Sequence, residues 1–103
     1  MSLPSQLPGL AGPMHVRWLP VLPGDEAGGW NARTRVVTLA ADCSKLVQEQ
    51  TFWHEWVHSV LDDTGVRLPK GKEEDVCNAL ALGLICLRNA KWISFRRLPD
   101  PSA

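Results

Sequence analysis

The chain has 103 residues, 45% of them apolar and 21% charged, with Lys plus Arg and Asp plus Glu equal at 11 each. This suits one compact globular domain and excludes a disordered chain, while zero net charge argues against nucleic acid or an anionic membrane as a charge-driven partner. No run approaches the roughly 18 apolar residues of a bilayer span, no secretory leader is expected, and three cysteines without paired spacing point to a reducing, cytoplasmic setting.

Residues 1–13, MSLPSQLPGLAGP, are rich in Pro and Gly and carry no charged side chain, so they are expected to form an extended arm or a disordered tail. The domain proper is expected over 14–98, with 99–103 as a C-terminal tail. Residues 14–21 suit a short strand with Val16 and Trp18 on one face, which Pro20 either ends or confines to a sheet edge. Residues 23–29, PGDEAGG, read as a loop. Residues 34–40, TRVVTLA, are β-branched and bounded by polar residues, the strongest strand signal in the chain.

Ser44 or Asp42 can cap a helix that runs to about Asp63, where Gly65 supplies a left-handed stop. On its wheel Val47, Thr51, His54, His58 and Leu61 share one stripe, and Trp53, Val57 and Val60 mark the adjacent core stripe. After a loop with Pro69 and Gly71, a second helix is expected over 72–89, burying Val76, Cys77, Leu80, Ala81, Leu84 and Leu87. A strand-like WISF follows at 92–95, then a basic, Pro-containing end. Two strands and two long helices make the fold class α+β.

Residues 54–58 read His-Glu-Trp-Val-His. On a helix His54 and His58 lie one turn apart, with Cβ atoms roughly 6 Å from each other, so both imidazoles can reach one metal ion. Glu55 points off that ion and is placed to take a proton from an activated water, the task of a general base in metal-assisted hydrolysis. This is the HExxH signature of zinc metallopeptidases. A zinc site with an open position needs a third protein ligand. His15 is the only other histidine, and the acidic run Glu73, Glu74, Asp75 opens the second helix. A short loop between antiparallel helices can bring that first turn beside His58. Glu73 and Glu74 flank the buried stripe on opposite sides, so the wheel does not choose between them, and Asp75 faces solvent. Complementation of the helix dipole is a sufficient reason for acids at that position.

TFWHEWVHSVLDDTG followed by EEDVCNALALGL resembles the gluzincins, in which HExxH is joined by a downstream glutamate. In size and layout the chain is similar to the minigluzincins and to small phage-associated members. It also resembles the ImmA/IrrE-type metallopeptidase domain, whose third ligand begins a Glu-x-x-Ala-Asn-x-x-Ala pattern. Glu74, Cys77, Asn78 and Ala81 match it, with Cys in place of the first Ala. Larger gluzincins carry an Asp four residues after the ligand Glu that orients a zinc histidine, and Asn78 stands at that place without its charge. The resemblance, which covers about residues 34–88, favours Glu74 over Glu73.

It implies a minimal zincin-like domain with a small antiparallel sheet, and zinc held by His54, His58 and Glu74. A strand at 33–40 would run above the motif helix, its edge aligning an extended peptide. The implied reaction is hydrolysis of peptide bonds in a peptide or protein substrate, with zinc polarising the carbonyl and Glu55 activating water. Many gluzincins stabilise the oxyanion with Tyr, His or Arg. This chain has no Tyr, and His15, Arg33 and Arg35 qualify by chemistry alone. Some minigluzincins are latent because a terminal segment occupies the active site, so the N-terminal arm or the WISF tail is a candidate cover. The rival expectation is a zinc-stabilised binding module, catalytically weak or inactive, that holds a protein partner in the cleft and along the strand edge.

Smaller signals have plain readings. Cys77 and Cys86 suit small core positions on the second helix, and Cys43 a loop. Asp62 and Asp63 end a helix at its unfavourable pole and are expected to face solvent. Arg88, Lys91, Arg96 and Arg97 form a solvated basic face or tail.

Overall fold

Local sequence chemistry sets both helices. A computed structural model describes residues 5–91. Helix α1 spans Lys45–Thr64, and the Ser44 hydroxyl accepts the Val47 N–H at 3.3 Å, satisfying one of the donors a helix start leaves open. Gly65 ends the helix at φ 73°, a left-handed conformation that glycine adopts without steric cost, and its N–H donates to the Asp62 carbonyl. Helix α2 spans Lys72–Asn89, entered through Gly71. Both helices match the expected bounds. Among the described residues no helix is long and apolar enough to cross a membrane.

Four strands form one sheet: β1 Gln6–Gly9, β2 Gly12–Leu19, β3 Gly28–Asn31 and β4 Val36–Ala40, in the order β1-β2-β4-β3. The fold is α+β, a four-stranded sheet packed with two helices. The pairs β1/β2 and β3/β4 are antiparallel, but β2 and β4, which match the two expected strands, run parallel, His15 opposite Val36 through Leu19 opposite Ala40. The sheet is therefore mixed, because β4 returns from its hairpin with β3 into the gap beside β2. This insertion corrects a second expectation. Strand β4 is paired on both sides, so among the described residues the sheet edge beside α1 belongs to β3 and not to the 33–40 segment.

Two strands lie where loops or tails were expected. β1 falls within the Pro/Gly-rich segment 1–13: Leu7 sits opposite Met14, and both side chains are buried in the core. A segment without charge can reflect burial as well as disorder, and the apolar Leu7 has somewhere to go. β3 falls within and just after the PGDEAGG segment. Its Gly28 packs so close to α1 that a Cβ there would lie 2.6 Å from Thr51 Cγ2 and 2.7 Å from the Thr38 carbonyl. The glycine marks a close backbone approach inside a strand, which looks like a turn in the sequence.

The core joins Leu7, Met14, Val37 and Leu39 of the sheet to Phe52 and Trp53 of α1 and Ala81 and Ile85 of α2. Phe52, fully buried, meets Trp53 edge-on at 5.2 Å between ring centres. The buried stripe of α2 is narrower than expected. Cys77, Ala81 and Ile85 face inward and Leu84 packs at the margin, whereas Leu80 and Leu87 are 51% and 45% exposed. Among the described residues the sheet and α1 cover α2 on one side, where a single i, i+4 seam suffices. The WISF segment, Arg96, Arg97 and the 99–103 tail lie outside the described residues.

Candidate metal centre

The loop between the helices turns α2 back antiparallel to α1, laying its first turn across the turn of α1 that carries the histidines. His54 Nε2 and His58 Nε2 stand 3.2 Å apart. The Glu74 carboxylate bridges them, Oε2 at 3.0 Å from His54 Nε2 and Oε1 at 2.7 Å from His58 Nε2. Donors held at about 2.0–2.1 Å around a tetrahedral ion are about 3.3 Å apart, close to the separation of the two inner imidazole nitrogens. His54, His58 and Glu74 form a group whose donor atoms all lie within 4.8 Å of one another. Two imidazoles and one carboxylate suit zinc among the common divalent metals, and three protein ligands leave one position open.

The outer nitrogens of both rings are also bonded. The Asn78 amide oxygen lies 2.8 Å from His54 Nδ1, and Glu73 Oε2 lies 2.6 Å from His58 Nδ1. The two glutamates left open by the wheel thus take different places, Glu74 between the inner nitrogens and Glu73 on the outer nitrogen of His58. Glu74 is one turn before Asn78, and Glu73 one turn before Cys77, which is fully buried at the α1–α2 seam. That spacing was the available signal that Glu73 leans toward α1. Asp75 is exposed, as expected.

Glu55 follows His54 on α1 and is only 8% exposed, with Oε1 3.8 Å from His54 Nε2. Burial pushes its carboxyl above the ordinary glutamate range, while the two imidazoles pull it back. A carboxyl raised by burial beside residues that could hold a metal has the chemistry of a proton acceptor. Trp56 packs edge-on against Trp53 at 5.7 Å on the same helix and partly covers the core beneath the motif.

The remaining chemistry-bearing residues lie elsewhere. Cys77 is a core residue whose thiol is pushed up to about 12, first by burial and then by Glu73, Glu74 and Glu55, so it stays neutral. Cys86 is exposed instead of buried, and Cys43 is half-buried. Of the three oxyanion candidates, His15 and Arg33 are exposed on β2 and in the β3–β4 turn. Arg35 is committed to Asp63, with Nη1 and Nη2 donating to its two oxygens at 2.7 and 2.8 Å. The expectation that Asp63 faces solvent is thereby corrected: its side chain is 5% exposed, held in a paired ion bridge. The chain matches no protein-family model, no curated protein and no solved structure.

Proposed function

We propose that the protein is a small zinc-dependent peptidase, with His54, His58 and Glu74 holding the ion and Glu55 as general base. The observation that carries this reading is the convergence of three zinc-type donor atoms within 4.8 Å, beside a buried carboxylate that is not one of them. A bound zinc supplies polarisation of the scissile carbonyl and acidification of water. Glu55 takes the proton from the attacking water and delivers it to the leaving amine, so one carboxylate serves both halves of the hydrolysis. The cluster opens to solvent on the side of Glu74, whose side chain is 62% exposed, which gives a polypeptide a way in. Among the described residues strand β3 packs against α1 and is paired only with β4, and an outer strand edge of this kind can hydrogen-bond an extended substrate backbone. The setting we propose is the cytoplasm, consistent with three free cysteines.

A second reading, a zinc-stabilised binding module that uses the same cleft and β3 edge to hold a protein, is favoured by one observation. Of the three oxyanion candidates, His15 and Arg33 are exposed on the sheet and its turn and Arg35 is held by Asp63, so none of them is assigned as a donor to the oxyanion. Elemental analysis and Glu55→Gln separate the readings. Both proteins are expected to carry one zinc per chain, because Glu55 is not a ligand, while the variant loses turnover of unstructured protein substrates by about 100- to 10,000-fold. Zinc present with equal turnover in both proteins eliminates the peptidase, and absence of zinc eliminates both readings.

A further inference from the structure

The two histidines carry different partners on their outer nitrogens, and the difference has consequences for metal binding. His54 Nδ1 faces the neutral amide of Asn78 at 2.8 Å, whereas His58 Nδ1 faces the carboxylate of Glu73 at 2.6 Å. An imidazole that offers Nε2 to a metal carries its proton on Nδ1, so each outer contact becomes a hydrogen bond donated by the ring. A bond to an ionised acceptor is about twice as strong as a neutral one and increases electron donation through the ring. We infer that Glu73 is the positioning residue of the metal site, fixing the tautomer and orientation of His58 by accepting its Nδ1–H, while Asn78 does the same more weakly for His54. This rests on the zinc reading and adds to it a role for a residue outside the ligand set.

Two features distinguish this role from ordinary helix-end electrostatics. Dipole complementation asks only for negative charge in the first turn of α2, which Glu74 and Asp75 already supply. It does not require the Glu73 carboxylate to turn across the seam onto one ring nitrogen, with its side chain reduced to 37% exposure. The carboxylate also precedes the ligand Glu74 by one residue, so one turn of α2 supplies both a donor to the ion and the anchor of a histidine on the other helix. A shift of α2 along α1 would therefore disturb both together.

The test is a competition titration of Zn2+ against a chromophoric chelator, with absorption spectra of the Co2+-loaded proteins and melts of the metal-free forms. Wild type, Glu73→Ala, Glu73→Gln, Glu74→Ala and Asn78→Ala are compared. Glu73→Ala is expected to weaken zinc about 10- to 100-fold while keeping the wild-type Co2+ coordination spectrum. Glu73→Gln, which keeps an acceptor but not its charge, restores part of the loss. Asn78→Ala costs less than Glu73→Ala, and Glu74→Ala costs most and alters the spectrum. Metal-free melts of the Glu73 variants stay near wild type. Undiminished zinc affinity in both Glu73 variants overturns the inference and leaves the zinc reading standing. A loss in Glu73→Ala as deep as in Glu74→Ala, with an altered spectrum, overturns it by making Glu73 a ligand. Failure of wild type to bind Zn2+ overturns the zinc reading and the inference with it.

Discussion

Arg35 holds the end of α1 against the β1–β2 hairpin. It sits at φ 57°, an uncommon conformation for a residue with a side chain, which extended bonding can stabilise. Besides the paired bonds to Asp63, it donates to the Gly12 carbonyl at 3.1 Å and the Pro13 carbonyl at 3.2 Å. Its guanidinium lies 5.6 Å from the centre of the Trp30 ring, whose indole N–H donates to Asp62 at 2.7 Å. Two carboxylates at the negative pole of a helix are thus compensated by a cation and an indole donor. Arg35 holds the Asp63 carboxyl below the ordinary aspartate range. A depressed folded-state pKa contributes stability that is complete above about pH 5 and lost as the pH falls through about 4 toward the folded value. Arg35→Gln is therefore expected to lower the urea midpoint at pH 7, with the gap to wild type narrowing by pH 2.5. Urea denaturation at the two pH values checks this, and a gap that stays constant would show that the ion pair does not carry the difference.

The antiparallel packing of α1 and α2 is fastened near both ends. Near one end is the His54, His58, Glu73, Glu74 cluster, and near the other Arg88 Nε donates to Glu49 Oε1 at 2.6 Å. Between them runs the narrow seam of Cys77, Ala81 and Ile85. Glu49 is 7% exposed, so removing its partner would strand a carboxylate in the interior. Arg88→Ala is expected to cost about 3 kcal/mol, the lower part of the range for breaking a buried pair because Arg88 itself is partly solvated. The double variant Glu49→Met with Arg88→Met is expected to recover most of that loss, since a buried ion pair gains little over well-packed apolar groups. Denaturant midpoints of the two singles and the double complete the cycle, and additive losses would show that the pair is not coupled.

For the molecule as a whole, the strand order decides what the termini can do. Residues 6–9 form an edge strand of the sheet, Leu7 helps fill the core, and the Ala11 N–H donates to Asp63 at 3.3 Å. Residues so engaged support the domain, and we expect them not to act as a removable cover over the His54, His58 and Glu74 cluster. Deleting residues 5–11 is expected to lower the melting temperature and leave turnover of a quenched peptide no higher than in the full chain. Removal of a fully buried Leu side chain from a core costs about 2–5 kcal/mol, a large share of the stability of so small a domain. A deletion that melts like the full chain and turns over substrate faster would restore the masking expectation.

Both helices could be placed from the residues around them. Ser44 and Gly65 act on backbone groups within a turn of themselves, so the ends of α1 follow from local bonding and local conformational preference. The His54–Glu55–His58 arrangement is equally local, because a helix puts positions i and i+4 on one face wherever the helix lies. The resemblance to gluzincins singled out Glu74, and the folded chain brings that residue between the two imidazoles. Other features depended on partners distant in the chain. β1 is a strand because Leu7 meets Met14, and Gly28 belongs to a strand because Thr51 and Thr38 leave no room for a side chain. β2 and β4 are parallel because β4 enters the gap between β2 and β3, a choice of neighbour that no alternation of side chains encodes. Glu73 finds His58 and Asp63 finds Arg35 across separations of 15 and 28 residues. Caps and spacings act through the backbone of a single element and are written in its own residues. Pairings between elements depend on which surfaces meet once apolar side chains are buried, and that is a property of the assembled core.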